Sequence, residues 1–317
     1  MNYQPTNPSF LGRKILDSID LNLIVKYIDW TFFFHTWKIA GKYSGIETLG
    51  DCISCQTWLL QFPEKEREKV REALSLFRDA QAMLKEMITG KKLQAKAILY
   101  FSEAKSENEG ILFLPNQMQE TLLYIPMLRQ QKPNEISGFC YSLSDFLPNL
   151  SDFIGIFAVA IHGAEEISAQ FQSQGDDYNA LLVKSLADRL AEATSEWLHE
   201  QVRKHYWGYA PQENFTVEEL RKVPYQGIRP AVGYPSLPDQ SIIFDLNKLL
   251  HLEEIGITLT ENGVMFPCSS ICGLYFSHPA AFYFMIGKIG EDQLKDYAQR
   301  KKNDPEKLKK WLGKIYL

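Results

Sequence analysis

The 317-residue chain has no excess of positive charge: 34 Lys and Arg stand against 39 Asp and Glu, for a formal net charge of -5. A nucleic-acid binder needs a basic face, and none is expected here. The neighbouring Lys301 and Lys302 make a local basic patch that reads as a solvated helix end. No apolar run is long enough to span a bilayer, so no membrane partner is expected. The start, Met1-Asn2-Tyr3-Gln4-Pro5, has no basic flank followed by an apolar stretch, and a signal peptide is not expected either. Without one, the five cysteines are expected to be free thiols in a reducing, cytoplasmic setting. Cys52 and Cys55 form a CxxC, and Cys268 and Cys272 lie four apart, but no histidine flanks them at ligand spacing, so no metal site is expected.

The familiar nucleotide and hydrolase signatures are missing as well. There is no GxGxxG after a strand, no GxxxxGK[ST], no GxSxG and no HExxH. The six histidines are scattered, and each reads as a hydrogen-bonded structural residue. No catalytic residue is assigned.

What is present is apolar and aromatic. Hydrophobic residues make up 45% and aromatics 13%, enough for a real core and too much for disorder. Residues 1–50 carry Tyr27, Trp30, Phe32, Phe33, Phe34 and Trp37, which cannot be left in water. Val70, Ala73, Phe77, Ala80, Leu84 and Met87 recur three or four apart and predict a helix over 65–88, with Gly90 as its stop. Strands are predicted at 97–101, 111–114, 121–125 and 153–161, with a polar turn at 103–110. The clearest helix spans 177–206, with an apolar stripe of Leu182, Leu186, Leu190, Ala193 and Trp197, and should cover one face of the sheet. After it come a shorter helix near 243–254, strands at 274–276 and 282–289, and helices at 291–300 and 305–312. This order does not alternate βα, which argues α+β: a twisted antiparallel or mixed sheet flanked by helices, with an N-terminal helical segment packed on it. One domain over 1–317 is expected, mainly helical over 1–90 and α+β over 91–317.

Between the long helix and the next lies Tyr225-Gln226-Gly227-Ile228-Arg229-Pro230-Ala231-Val232-Gly233-Tyr234-Pro235. Two prolines stiffen it, and Gly227 and Gly233 allow close approach to the backbone. Arg229 offers a donor fork for a carboxylate, and Tyr234 an aromatic face with a polar tip. The set suits an amino-acid-like or nucleoside-like ligand. It equally suits a Pro-rich surface linker with a solvated arginine, and residue chemistry alone does not separate the two.

The segment Arg229-Pro230-Ala231-Val232-Gly233-Tyr234 resembles the RPAxGY signature of the activation domain of cobalamin-dependent methionine synthase. Tyr27-Ile28-Asp29-Trp30 with Thr36-Trp37 is similar to that family's YIDW…T-W segment. Ala187-Asp188-Arg189-Leu190-Ala191-Glu192-Ala193, His205-Tyr206-Trp207-Gly208-Tyr209-Ala210 and Tyr275-Phe276-Ser277-His278-Pro279 with Tyr283 follow in the family's order. The resemblance spans nearly the whole chain.

It implies an S-adenosylmethionine site made by Asp29, Glu192, Arg229, Ala231, Gly233, Tyr234, Tyr283 and Phe284, the last through its backbone. Arg229 would meet the methionyl carboxylate, Asp29 or Glu192 the positive centres, and Tyr234 or Tyr283 the adenine or sulfonium. On chemistry alone, Glu192 also reads as a solvated helix carboxylate and Tyr283 as a packing residue. The family role is to support reductive methylation of inactive cob(II)alamin to methylcobalamin in methionine biosynthesis, with an electron from a flavodoxin-type donor. The family's cobalamin-binding DxHxxG motif is absent, so cobalamin is expected on a partner domain or subunit, and this chain to be catalytically incomplete alone. A second reading is an S-adenosylmethionine-binding interaction module for another corrinoid protein.

Overall fold

A computed structural model describes residues 3–39, 41–49, 52–114, 122–135 and 137–316. The chain divides into two compact units. The first holds Met1–Asp17, Lys96–Ala160 and Ser195–Leu317, and the second Ser18–Ala95 and Ile161–Thr194.

The first unit is built on a six-stranded sheet. Its strands are β1 (Gly12–Ile19), β2 (Gln94–Glu107), β3 (Gly110–Phe113), β4 (Leu123–Pro126), β5 (Asp152–His162) and, after a two-stranded ribbon of β6 (Thr258–Leu259) and β7 (Met265–Phe266), β8 (Ser270–Tyr275). The order is β4-β3-β2-β5-β8, with β1 also paired to β2. The ladders β2–β3, β3–β4 and β5–β8 are antiparallel. This is the α+β architecture that the element order predicts.

Alternation along the strands sorts the core. Ile154, Ile156, Ala158 and Ala160 of β5, with Cys272 and Leu274 of β8, join one buried cluster with Ile242 and Leu246, Leu294 and Ala298, and Leu308 and Leu312. Those pairs come from the helices Ile242–Leu250, Glu291–Lys301 and Pro305–Leu312. The alternate residues Phe157 and Tyr275 stack on each other at 4.6 Å, and Tyr275 stacks in turn on His199 at 5.2 Å. The last turns of the long helix Asp177–Gln201 therefore cover that second face.

The second unit is mostly helical. Its helix Arg67–Thr89 buries all six residues of the predicted stripe and ends at Gly90. The aromatic N-terminal stretch packs within this unit: Trp30 meets Phe77 edge-on at 4.8 Å, and Phe33 and Phe34 are fully enclosed. Leu182, Leu186 and Leu190 are buried as the spacing requires, and so are Val183, Ala187 and Ala191, so this helix is wrapped on more than one stripe.

Several expectations need correction. The predicted polar turn at 103–110 narrows to Asn108 and Glu109, both at positive φ, because β2 runs on to Glu107. No strand forms at 282–289. Phe284 and Ile286 are buried and Tyr283 and Met285 exposed, so the period-two pattern is real, but the segment joins no ladder and Ile286 N–H bonds to Pro235 O at 2.9 Å. The long helix stops at Gln201 and widens into a π turn over Val202–Tyr206. Trp197 is half-buried, while Leu198 carries the buried position. Strand β1 and the helix Ala164–Ser173 go beyond the sequence expectations. Thr121 of the third predicted strand and the Cys52 side chain of the CxxC lie outside the described residues.

Candidate functional site

The loop over 225–237 lies against β8 as an irregular extra strand. Ile228 and Phe276 exchange N–H···O bonds of 3.0 Å, Val232 N–H reaches Cys272 O at 2.9 Å, and Leu274 N–H reaches Pro230 O at 2.9 Å. Gly273 makes this approach possible, since a Cβ there would sit 2.4 Å from Pro230 O. The loop then turns on itself: Gly233 N–H bonds to Leu237 O at 2.8 Å and Leu237 N–H to Tyr234 O at 2.9 Å. Gly233 has φ of +85°, a backbone conformation strained for a residue with a Cβ, so the turn favours glycine. Among the two readings left open by residue chemistry, this is not a loose linker.

Arg229 is the charged centre of the loop. Its backbone N–H donates to Tyr283 Oη at 3.0 Å, and its Nη2 donates to Glu196 Oε2 at 2.7 Å. The two side chains are only 17% and 19% exposed, so the pair is weakly screened. Tyr234 and Tyr283 present exposed rings, while Ala231 is buried. The Phe284 side chain belongs to the core, against Tyr141 and Phe146 at 6.0 and 6.1 Å.

Beneath Arg229 lies a polar layer of the same unit. His199 is fully buried, and burial first, then the nearby Arg203 and Arg229 charges, hold it well below its ordinary pKa, so it is neutral. Tyr225 meets His199 edge-on at 5.0 Å, and Tyr209 Oη is 3.4 Å from Nε2. Arg203 lies 4.0 Å over the Tyr225 ring and pairs with Glu213 through two bonds of 2.6 and 2.7 Å. Burial pushes the Tyr209, Tyr225 and Tyr275 hydroxyls up, so they stay protonated. Just beyond Tyr275 in the chain, Ser277 ties two further segments: its carbonyl accepts from Gln226 Nε2 at 2.7 Å, and its Oγ lies 3.0 Å from Tyr3 Oη.

The sequence matches the family described as vitamin B12 dependent methionine synthase, activation domain, over residues 20–302. The chain belongs to this family. Among solved structures it is similar to a MetH reactivation domain bound to AdoHcy, at 35% identity and a TM-score of 0.84, covering 99% of this chain and 93% of that one.

The expected residues of this activation domain fall in both units. Arg229, Ala231, Gly233, Tyr234, Tyr283 and Phe284 all lie in the first, and the structure joins Arg229 to Tyr283 directly. Asp29 and Glu192 lie in the second. There Asp29 caps the helix Trp30–Thr36, its Oδ1 accepting from Thr31 N–H at 2.9 Å. Glu192 is half-buried on the long helix. Sequence reasoning missed Glu196. The available signal was helical spacing: His199 and Arg203 follow Glu196 by three and seven residues and share a face with it. Among the described residues, no cluster of three or more His, Cys, Asp or Glu could hold a metal ion, and no helix is long and apolar enough to cross a membrane.

Proposed function

We propose that this activation domain binds S-adenosylmethionine and supports reductive methylation of cob(II)alamin held by a cobalamin-binding domain or subunit of methionine synthase. The observation that carries the reading is Arg229, a guanidinium on a loop pinned to β8, with the exposed Tyr234 and Tyr283 rings in the same unit. That donor set fits an adenosyl amino acid: a cation for the carboxylate and aromatic faces for the adenine or sulfonium. The AdoHcy bound to the similar MetH domain supports the same chemistry, since AdoHcy is what remains when S-adenosylmethionine gives up its methyl group.

Asp29 and Glu192 would meet the ligand's positive centres, a role that rests on the family resemblance. Ala231, Gly233 and the Phe284 backbone would line the nucleoside. The reaction balances when one electron, from a flavodoxin-type donor, and one methyl cation, from the sulfonium, reach cob(II)alamin. The products are methylcobalamin and S-adenosylhomocysteine. The chain's part is to bind and orient the methyl donor, in a cytoplasmic setting.

The test mixes this protein with a corrinoid domain in the cob(II)alamin state, a low-potential electron donor and methyl-labelled S-adenosylmethionine. Label is expected on cobalt only when this chain is present. Methyl transfer to a small molecule without any corrinoid would overturn the reading.

A further inference from the structure

The Arg229 backbone is fixed without help from its side chain. Tyr283 holds its N–H, Ile228 before it is bridged to Phe276, and Pro230 after it accepts from Leu274. Beyond Cα the guanidinium is carried on four rotatable bonds, and its Nη2 donates to Glu196 Oε2 at 2.7 Å. Glu196 itself stands on a stiff base. It projects from the helix Asp177–Gln201, next to the stacked layer of His199, Tyr275 and Phe157.

No other cation of that layer competes for Glu196. Arg203 is committed to Glu213 by two bonds, and His199 is neutral. Glu196 Oε1 is buried and accepts no hydrogen bond in this arrangement. The carboxylate therefore meets the guanidinium through one oxygen, a directional charge-assisted bond that fixes where Nη2 points.

We propose that Glu196 is a positioning residue that aims the Arg229 guanidinium at a ligand carboxylate, and that it does so by reach more than by charge. The inference rests on the reading of Arg229 as the carboxylate-binding residue. A guanidinium directed by Glu196 binds at a lower entropic cost of ordering, so losing that contact should weaken carboxylate binding about tenfold or more. Ligands that lack the carboxylate should not notice.

The test compares two probes on the full chain by calorimetric titration. S-adenosylhomocysteine carries the amino-acid carboxylate, and 5′-methylthioadenosine shares its adenosine and thioether but lacks it. Glu196→Ala removes both reach and charge, Glu196→Asp keeps charge but falls short, and Glu196→Gln keeps reach and an acceptor oxygen. S-adenosylhomocysteine affinity is expected to fall most in Ala, less in Asp and least in Gln, which should stay within about threefold of the wild type. Methylthioadenosine affinity should be unchanged in all three. If Glu196→Ala does not fold, the order of Gln and Asp decides. Asp binding S-adenosylhomocysteine better than Gln overturns the proposal, as does any variant losing both probes by the same factor, or Ala binding like the wild type. A wild type that binds neither probe instead overturns the functional reading on which the proposal stands.

Discussion

Arg203 and Arg229 lie in the same unit, flank the same neutral histidine, and each meets a glutamate at 2.6 to 2.7 Å. They are built differently. Arg203 and Glu213 are 0% and 4% exposed and joined by two parallel bonds, with the Tyr225 ring closing over the guanidinium. Arg229 and Glu196 are 17% and 19% exposed and joined through one carboxylate oxygen, on a loop whose next aromatic, Tyr234, is exposed. A two-bond, sealed pair directs its whole donor fork inside the protein. The Arg229–Glu196 pair lies nearer solvent and is less sealed. The first arginine is thus part of the fold, and the second is the one that we propose meets a ligand.

The largest expected effect breaks the first pair. Arg203→Ala leaves Glu213 buried without its cation and should cost about 3–5 kcal/mol of stability, read from the denaturant midpoint. A midpoint equal to the wild type's would mean that the sealed pair is not structural. Arg229→Ala should do the reverse, lowering S-adenosylmethionine affinity by about 2–5 kcal/mol while the far-ultraviolet circular dichroism stays native. Gly233→Val tests the loop that carries Arg229. At φ of +85° a β-branched residue should cost about 1–3 kcal/mol locally and weaken ligand binding with it. The smallest effect concerns the histidine between the two pairs. Its folded pKa is depressed from 6.5, so above pH 6.5 both states are neutral, and below it the unfolded chain takes up a proton that the folded chain refuses. Stability should therefore fall as pH drops below 6.5, by up to about 1.4 kcal/mol per pH unit. His278 is depressed too and adds in the same direction, so the His199→Gln variant, with a flatter profile than the wild type, isolates the His199 share.

Much of this was legible in the sequence where one physical rule acted alone. The stripe from Val70 to Met87 is buried throughout, and helical spacing located it to within a residue or two. Pro305 at the first helical turn marked the last long helix correctly. The pinned loop was visible as Pro, Gly and Arg at close spacing, although its pairing with β8 was not, because Pro230 and the bare Gly273 look like breaks in isolation. Where two rules competed, the sequence misled. Residues 282–289 alternate like a strand, yet their backbone bonds go to the loop and to the C-terminal segment, at Ile315. Strand β1 is mostly exposed, with Arg13, Lys14 and Asp17 inside it, and has no apolar alternation to betray it. Glu196 was missed because a helix carboxylate beside a half-buried Trp197 looks solvated, and only the folded loop reveals the arginine that it holds.

The isolated chain should recognise an adenosyl amino acid through the Arg229 loop, and everything proposed for its function depends on that recognition. Calorimetric titration of the wild-type protein and of folded Arg229→Ala with S-adenosylmethionine tests it most directly. Saturable binding by the wild type is predicted, with a loss of about thirtyfold or more in the variant. A wild type with no saturable binding, or a folded Arg229→Ala that binds as tightly as the wild type, would contradict it.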